Sequence, residues 1–271
     1  MPLQAPPHHH RVIFVQKMVY YEQPLNERVR TLLRLELLFQ QSDHFLAGGT
    51  CWDSRGALSA LIDILEVLNR ADLKTEYIKE MERQSNALAR LNKRPGVDEK
   101  QLDTILQQLE SYSDQLLGIS GVLGQELRQN ELINAIKQRS TIAGGTCDFD
   151  LPMLHHWLER SMENRQYDLK TWHQFLRPVR YANDLLIKLI REGASPQHKV
   201  AHNGFFQQAL DSSSSCQMIR IGVDASDNTF PEVSGGRHRF TVRFMAASIT
   251  SRPKQVDNDV NFQLTLSRSG S

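Results

Sequence analysis

From residue 26 to about residue 193 the apolar positions recur at i, i+3 and i+4, the spacing of one face of a helix. The pattern predicts a run of helices. The first, residues 27–45, has Asn26 as its N-cap and Glu27 in its first turn. It is apolar on most sides through Val29, Leu32, Leu33, Leu35, Leu37 and Leu38, so it should lie centrally. Glu36 falls inside that stripe, and a carboxylate there needs a cation, expected to be an arginine. Further helices are expected over residues 53–70, 72–92, 98–117 and 124–139. Lys93-Arg94-Pro95-Gly96 separates the third from the fourth. Leu151-Pro152 opens a sixth, to residue 160. The last, residues 168–190, contains Pro178, which should kink or split it.

After residue 194 the period changes to two. Residues 217–223, 233–245 and 260–266 alternate as strands with one buried and one polar face. In the second of these, opened by a glycine pair, Phe240, Val242 and Phe244 share one side and Arg237, Arg239 and Arg243 the other. Arg239 and Arg243 should stand about 13 Å apart along the strand. Such a row of fixed guanidinium groups suits an extended acidic partner better than a small substrate. The β-prone residues before Pro24 are expected to join these strands. The fold class is therefore α+β: a mostly helical body with a small antiparallel β domain built from the C-terminal region and an N-terminal strand. The expected division is a disordered extension over 1–17, with Met18 the expected start, and a strand over 18–25. A helical domain over 26–198 and a β domain with a basic pocket over 199–271 follow, the latter interrupted by a flexible serine run at 212–215.

Composition narrows the function classes. The 271 residues are 40% hydrophobic and 23% charged, ordinary values for a soluble protein. A formal net charge of +1 gives no global field for nucleic acid or membrane, so an electropositive site must be local. No apolar run reaches the roughly 18 residues of a membrane span. Cys51, Cys147 and Cys216 form no paired framework, which points to a reduced, cytoplasmic setting. There is no Gly-x-Ser-x-Gly elbow, no His-Glu-x-x-His, no dinucleotide fingerprint and no zinc quartet. Ala-Gly-Gly-Thr-Cys occurs at 47–51 and again at 143–147, but no Gly-Lys-Ser/Thr follows, so both copies read as loops before helices. Cys147, Asp148, Asp150, His155 and His156 are metal-ligand types. Adjacent helical histidines, however, point about 100° apart. Neither a metal nor a cofactor is expected, and no enzyme activity.

Several segments together resemble one family. They are Glu22-Gln23-Pro24-Leu25-Asn26 with the helix that continues to Glu36, and Arg94-Pro95-Gly96-Val97-Asp98. The others are residues 143–158 with Cys147-Asp148-Phe149-Asp150-Leu151-Pro152 and His155-His156-Trp157, then Asn203-Gly204-Phe205-Phe206, and residues 234–245. Their order and spacing, from Met18 onward, resemble ZapD, a family of bacterial cell-division proteins. The resemblance implies a non-enzymatic symmetric homodimer with a helical and a β domain, and the broad apolar coverage of the helices predicts that its subunits join through the helical one. It implies binding to the C-terminal tail of FtsZ and cross-linking of FtsZ filaments at the midcell division site. By position it also implies partner-binding roles for Arg34, Arg70, His155, Arg239 and Arg243, with Arg237 extending the strand pair. At Glu131 relatives can carry arginine, and Arg128, one turn earlier, is a candidate substitute.

Each of these residues has a plainer reading. Arg34 can neutralise Glu36, Arg70 can complement a helix dipole, His155 can be a packed histidine, and the arginine row can be a solvated face. A nucleic acid is the alternative occupant of the row. Near-neutral charge, and Phe240 and Phe244 turned away from the arginines, favour the peptide.

Overall fold

The computed structural model describes residues 17–91, 96–211, 216–236 and 238–268. All but the last residue of the expected extension, and the serine run, lie outside them. The described chain divides into two compact units, one of residues 17–23, 195–211 and 219–266, the other of residues 24–194, 216–218 and 267–268.

The second unit is helical. Asn26 has extended backbone, and its side chain accepts a hydrogen bond from the Val29 amide at 2.9 Å, which starts α1, Glu27–Ala47. α1 buries Val29, Leu32, Leu35 and Phe39, but Leu37 is exposed, so the helix is amphipathic rather than covered on all sides. The enclosed position belongs instead to α2, Cys51–Val67, with Ala57, Leu58, Leu61, Ile62, Ile64 and Leu65 all buried. Thr50 and Asp53 form a reciprocal capping box at its start, so the first Gly-Gly-Thr is a helix entry. α3, Leu73–Ala89, and α4, Glu99–Gly118, pack against one another; of the expected breaker only Gly96 is described, at φ +89°.

The helix expected over 124–139 is in fact two, α5, Gln125–Arg128, and α6, Glu131–Ser140. Asn130 leaves helical geometry and accepts from the Ile133 amide at 3.1 Å, so local side-chain capping outcompetes continuation. α7, Pro152–Leu158, follows. The helix expected over 168–190 starts earlier and splits into α8, Met162–Gln174, and α9, Arg177–Glu192, with Pro178 in the first turn of α9. Glu36 does have its arginine, but it is Arg191 of α9 in a two-pronged pair at 2.6 and 2.7 Å.

The first unit carries most of two sheets. One has the order β1-β4-β8-β2, with β1 Met18–Pro24, β2 Gln197–Ala201, β4 Cys216–Asp224 and β8 Val260–Arg268. The hydrogen bonds Leu25 N–H to Gln217 O and Ala225 N–H to Lys17 O bracket β1 and β4 in opposite order, as antiparallel strands require. The other has the order β3-β6-β5, with β3 Phe205–Ala209, β5 Thr229–Gly235 and β6 Arg239–Ala246, and β7, Lys254–Gln255, pairing the end of β6. Their inner faces meet through Phe262, whose ring centroid lies 5.2 Å from those of both Phe206 and Phe244.

Three strand expectations are corrected. Residues 233–245 belong to two antiparallel strands, not one: Gly235 pairs with Phe240, and the Gly236 amide donates to Arg239 O at 3.0 Å. β4 is buried on both sides rather than half-buried; its first residues belong to the helical unit, where Met218 joins the core. β8 alternates as expected to Leu264, after which Thr265 and Ser267 are buried and Leu266 only partly so. The strand leaves the β unit after Leu266, so its last residues meet different surroundings.

Candidate protein-docking site

β6 is the central strand of its sheet. Phe240, Val242 and Phe244 are fully buried on the inner side, whereas Arg239 and Arg243 are exposed on the outer side with Thr241 between them. Residues directly opposite in an antiparallel pair lie on the same side of a sheet. The register therefore assigns the rest of that outer face. On β3, Phe205 lies opposite Arg243, Gln207 opposite Thr241 and Ala209 opposite Arg239. On β5, Glu232 lies opposite Arg243 and Ser234 opposite Thr241. Neither Arg239 nor Arg243 forms an ion pair within 4.0 Å among the described residues, although Glu232 lies opposite Arg243. The face thus holds two rigidly spaced guanidinium groups with open hydrogen-bonding capacity. Arg237, expected to extend the row, lies outside the described residues.

The other expected residues belong to the helical unit and differ in how far they are engaged. Arg34 is 62% exposed, and its nearest carboxylate, Glu27, is 3.9 Å away and exposed too. An ion pair of that kind holds a side chain weakly. Arg70 is held more firmly. Its guanidinium donates to Asp72 and Glu76, each at 3.1 Å, and to Thr31 Oγ1 at 3.4 Å, which ties the α2–α3 corner to α1. The hydrogen bond to Asp72 is the main cause that raises its pKa; burial opposes it, and the carboxylates of Glu76 and Asp72 add to the rise. His155 is 48% exposed, and its Nδ1 lies 3.3 Å from Asp148, which also faces Arg55 at 3.7 Å. Arg128 turns inward and donates to Leu65 O near the end of α2; burial lowers its pKa, only partly offset by Glu66. Glu131 stands in the first turn of α6, where an acid complements the helix dipole.

On the arginine face, Phe205, Gln207 and Ala209 of β3 and Glu232 of β5 lie outside the strands that the sequence pattern predicts. The overlooked signal is Asn203-Gly204. Both have positive φ, +50° and +69°, and a bridge joins His202 to Phe205, so the pair is a tight two-residue hairpin turn connecting β2 to β3. A Cβ on Gly204 would come within 2.6 Å of Val256 O, so the close backbone approach also demands glycine.

Residues 33–243, a span that runs from α1 to Arg243, match the family described as ZapD, cell division protein. The chain belongs to the ZapD family. Curated relatives agree over almost their whole length. The Cell division protein ZapD of Methylococcus capsulatus is 40% identical over 252 residues, covering 93% of this chain and 99% of the relative. Those of Aromatoleum aromaticum and Chromobacterium violaceum are 38% and 40% identical over 251 and 249 residues, again covering 98% of each relative. This is therefore a cell division protein of the ZapD family. No helix among the described residues is long and apolar enough to cross a membrane.

Proposed function

We propose that this protein binds the C-terminal tail of FtsZ on the outer face of the β3-β6-β5 sheet and, as a homodimer, cross-links FtsZ filaments at the midcell division site. The observation that carries this reading is the exposed pair Arg239 and Arg243, fixed on a central strand and without a carboxylate partner among the described residues. Their alternation with fully buried Phe240, Val242 and Phe244 fixes the backbone that carries the pair, so an extended acidic peptide meets two cations at a set spacing. Arg34, well exposed, acts as a secondary cation on the helical unit, His155 adds an exposed hydrogen-bonding ring, and Arg70 adds what its two carboxylates leave open. A nucleic acid on the same face would meet the negative charge of Glu232, and, with Phe240 and Phe244 buried, it would have a single ring, Phe205, to stack on.

Two tails held by one dimer turn a weak single contact into filament bundling through effective concentration. Co-sedimentation with FtsZ filaments tests the reading. Full-length FtsZ should pellet the protein and form bundles, and FtsZ lacking its C-terminal tail should do neither. Equal pelleting with both forms would contradict it.

A further inference from the structure

The outer face of the β3-β6-β5 sheet is not symmetric about its arginines. At one end Arg243 lies between Phe205 on β3 and Glu232 on β5. At the other end Arg239 has only Ala209 opposite it on β3, and Gly236 lies on its other side. Phe205 is 42% exposed, while its neighbour Phe206 turns inward to pack on Phe240 and Phe262. An aromatic ring left open beside a cation, on an edge strand that already supplies one phenylalanine to the core, is not needed for packing. Directly opposed residues have Cβ atoms about 5 Å apart, so the ring and the Arg243 guanidinium can contact adjacent side chains of one bound chain. Glu232 closes the other flank with a negative charge, which repels a second acid there.

We infer that Phe205 is the apolar anchor of the peptide site and sets the register and direction of the bound chain. The ligand is an extended acidic peptide. It places one carboxylate on Arg239, a second about four residues away on Arg243, and an apolar side chain beside the second, over Phe205. Glu232 excludes a further acid on the β5 side. This rests on the reading that Arg239 and Arg243 form the tail site.

The test is fluorescence anisotropy with a labelled FtsZ C-terminal tail peptide and full-length protein. Phe205→Thr keeps a β-prone residue on the edge strand, and its melting temperature should match the unchanged protein. Its affinity should fall at least tenfold, and the loss should be the same at low and moderate salt, because an apolar contact is not screened. Phe205→Leu should restore most of the affinity. Independently of any protein variant, peptides with their apolar residues changed one at a time to serine should show one position that matters as much as Phe205→Thr does. Glu232→Gln should widen tolerance, raising the affinity of a peptide carrying one extra aspartate. If the Arg239→Glu, Arg243→Glu double variant loses binding while Phe205→Thr and every serine peptide bind within twofold of the parent, the anchor is refuted and the tail site stands. If the double variant binds normally, the site itself is refuted, and the anchor with it.

Discussion

Cations in this molecule differ in what already holds them, and that difference decides which can serve a partner. Arg191 is occupied by Glu36, and Arg70 by Asp72 and Glu76, whereas Arg34, Arg239 and Arg243 have weak partners or none among the described residues. Removing an occupied member should therefore cost stability. Arg191→Ala leaves a mostly buried carboxylate without its paired guanidinium and is expected to lose about 2–3 kcal/mol, somewhat below the cost of breaking a fully buried pair. Phe244→Ala should cost about 3–5 kcal/mol by opening a cavity between the sheets, with no direct effect on the exposed arginines. Urea denaturation measures both. A third residue should make the fold acid-sensitive. Burial, with Arg180 adding to it and Asp43 opposing it, lowers the His173 pKa from 6.5 to about 4, and its Nε2 lies 2.9 Å from Ser42 Oγ. The unfolded chain binds this proton first, so stability should be unaffected above pH 6.5 and should fall between pH 6.5 and 4, by roughly 2–3 kcal/mol. Thermal melts across that window should show a smaller decline for His173→Gln; an unchanged decline would assign the acid sensitivity to other groups.

At the level of elements, much of the fold was legible, and the gaps have physical causes. Apolar stripes and caps located the helices, because Asn26 and Pro178 act locally through a side-chain cap and a missing amide hydrogen. Asn130 misled because its neighbours continue the apolar stripe: periodicity reports which face is buried, not where the backbone breaks. Asn130→Ala should lose about 1 kcal/mol through the lost cap, measurable by chemical denaturation. Short strands were harder to see. β2, β3 and β5 are five to seven residues each and carry glutamine, histidine, proline or glycine, so their identity comes from pairing with β6 and β8 rather than from their own composition. The same blindness hid part of the site. Arg239 and Arg243 could be read along one strand, but Phe205 and Glu232 come beside them only through cross-strand register, which a linear pattern does not contain. Gly204→Ala tests that register at its turn. It should destabilise the β unit and weaken tail binding together, since a side chain there meets both positive φ and Val256 O.

For the whole molecule the account requires two binding faces in one particle. Trp52, Leu37 and Phe149 leave apolar surface exposed on the helical unit, and a homodimer joined through that unit would be able to cover it. Light scattering at micromolar concentration should give about twice the 31.1 kDa chain mass; a stable monomer would remove the bridging mechanism. Bundling should also weaken as ionic strength rises from low levels to about 0.1 M, where the Debye length falls to about 10 Å and exposed cations lose their reach. The most direct measurement is co-sedimentation of FtsZ filaments with the Arg239→Glu, Arg243→Glu double variant, checked first for an unchanged melting temperature and dimer mass. Charge reversal turns attraction into repulsion at both positions, a swing of up to several kcal/mol. This folded, dimeric variant should stay in the supernatant and leave the filaments unbundled. A variant that pellets and bundles like the unchanged protein would contradict the proposed tail site.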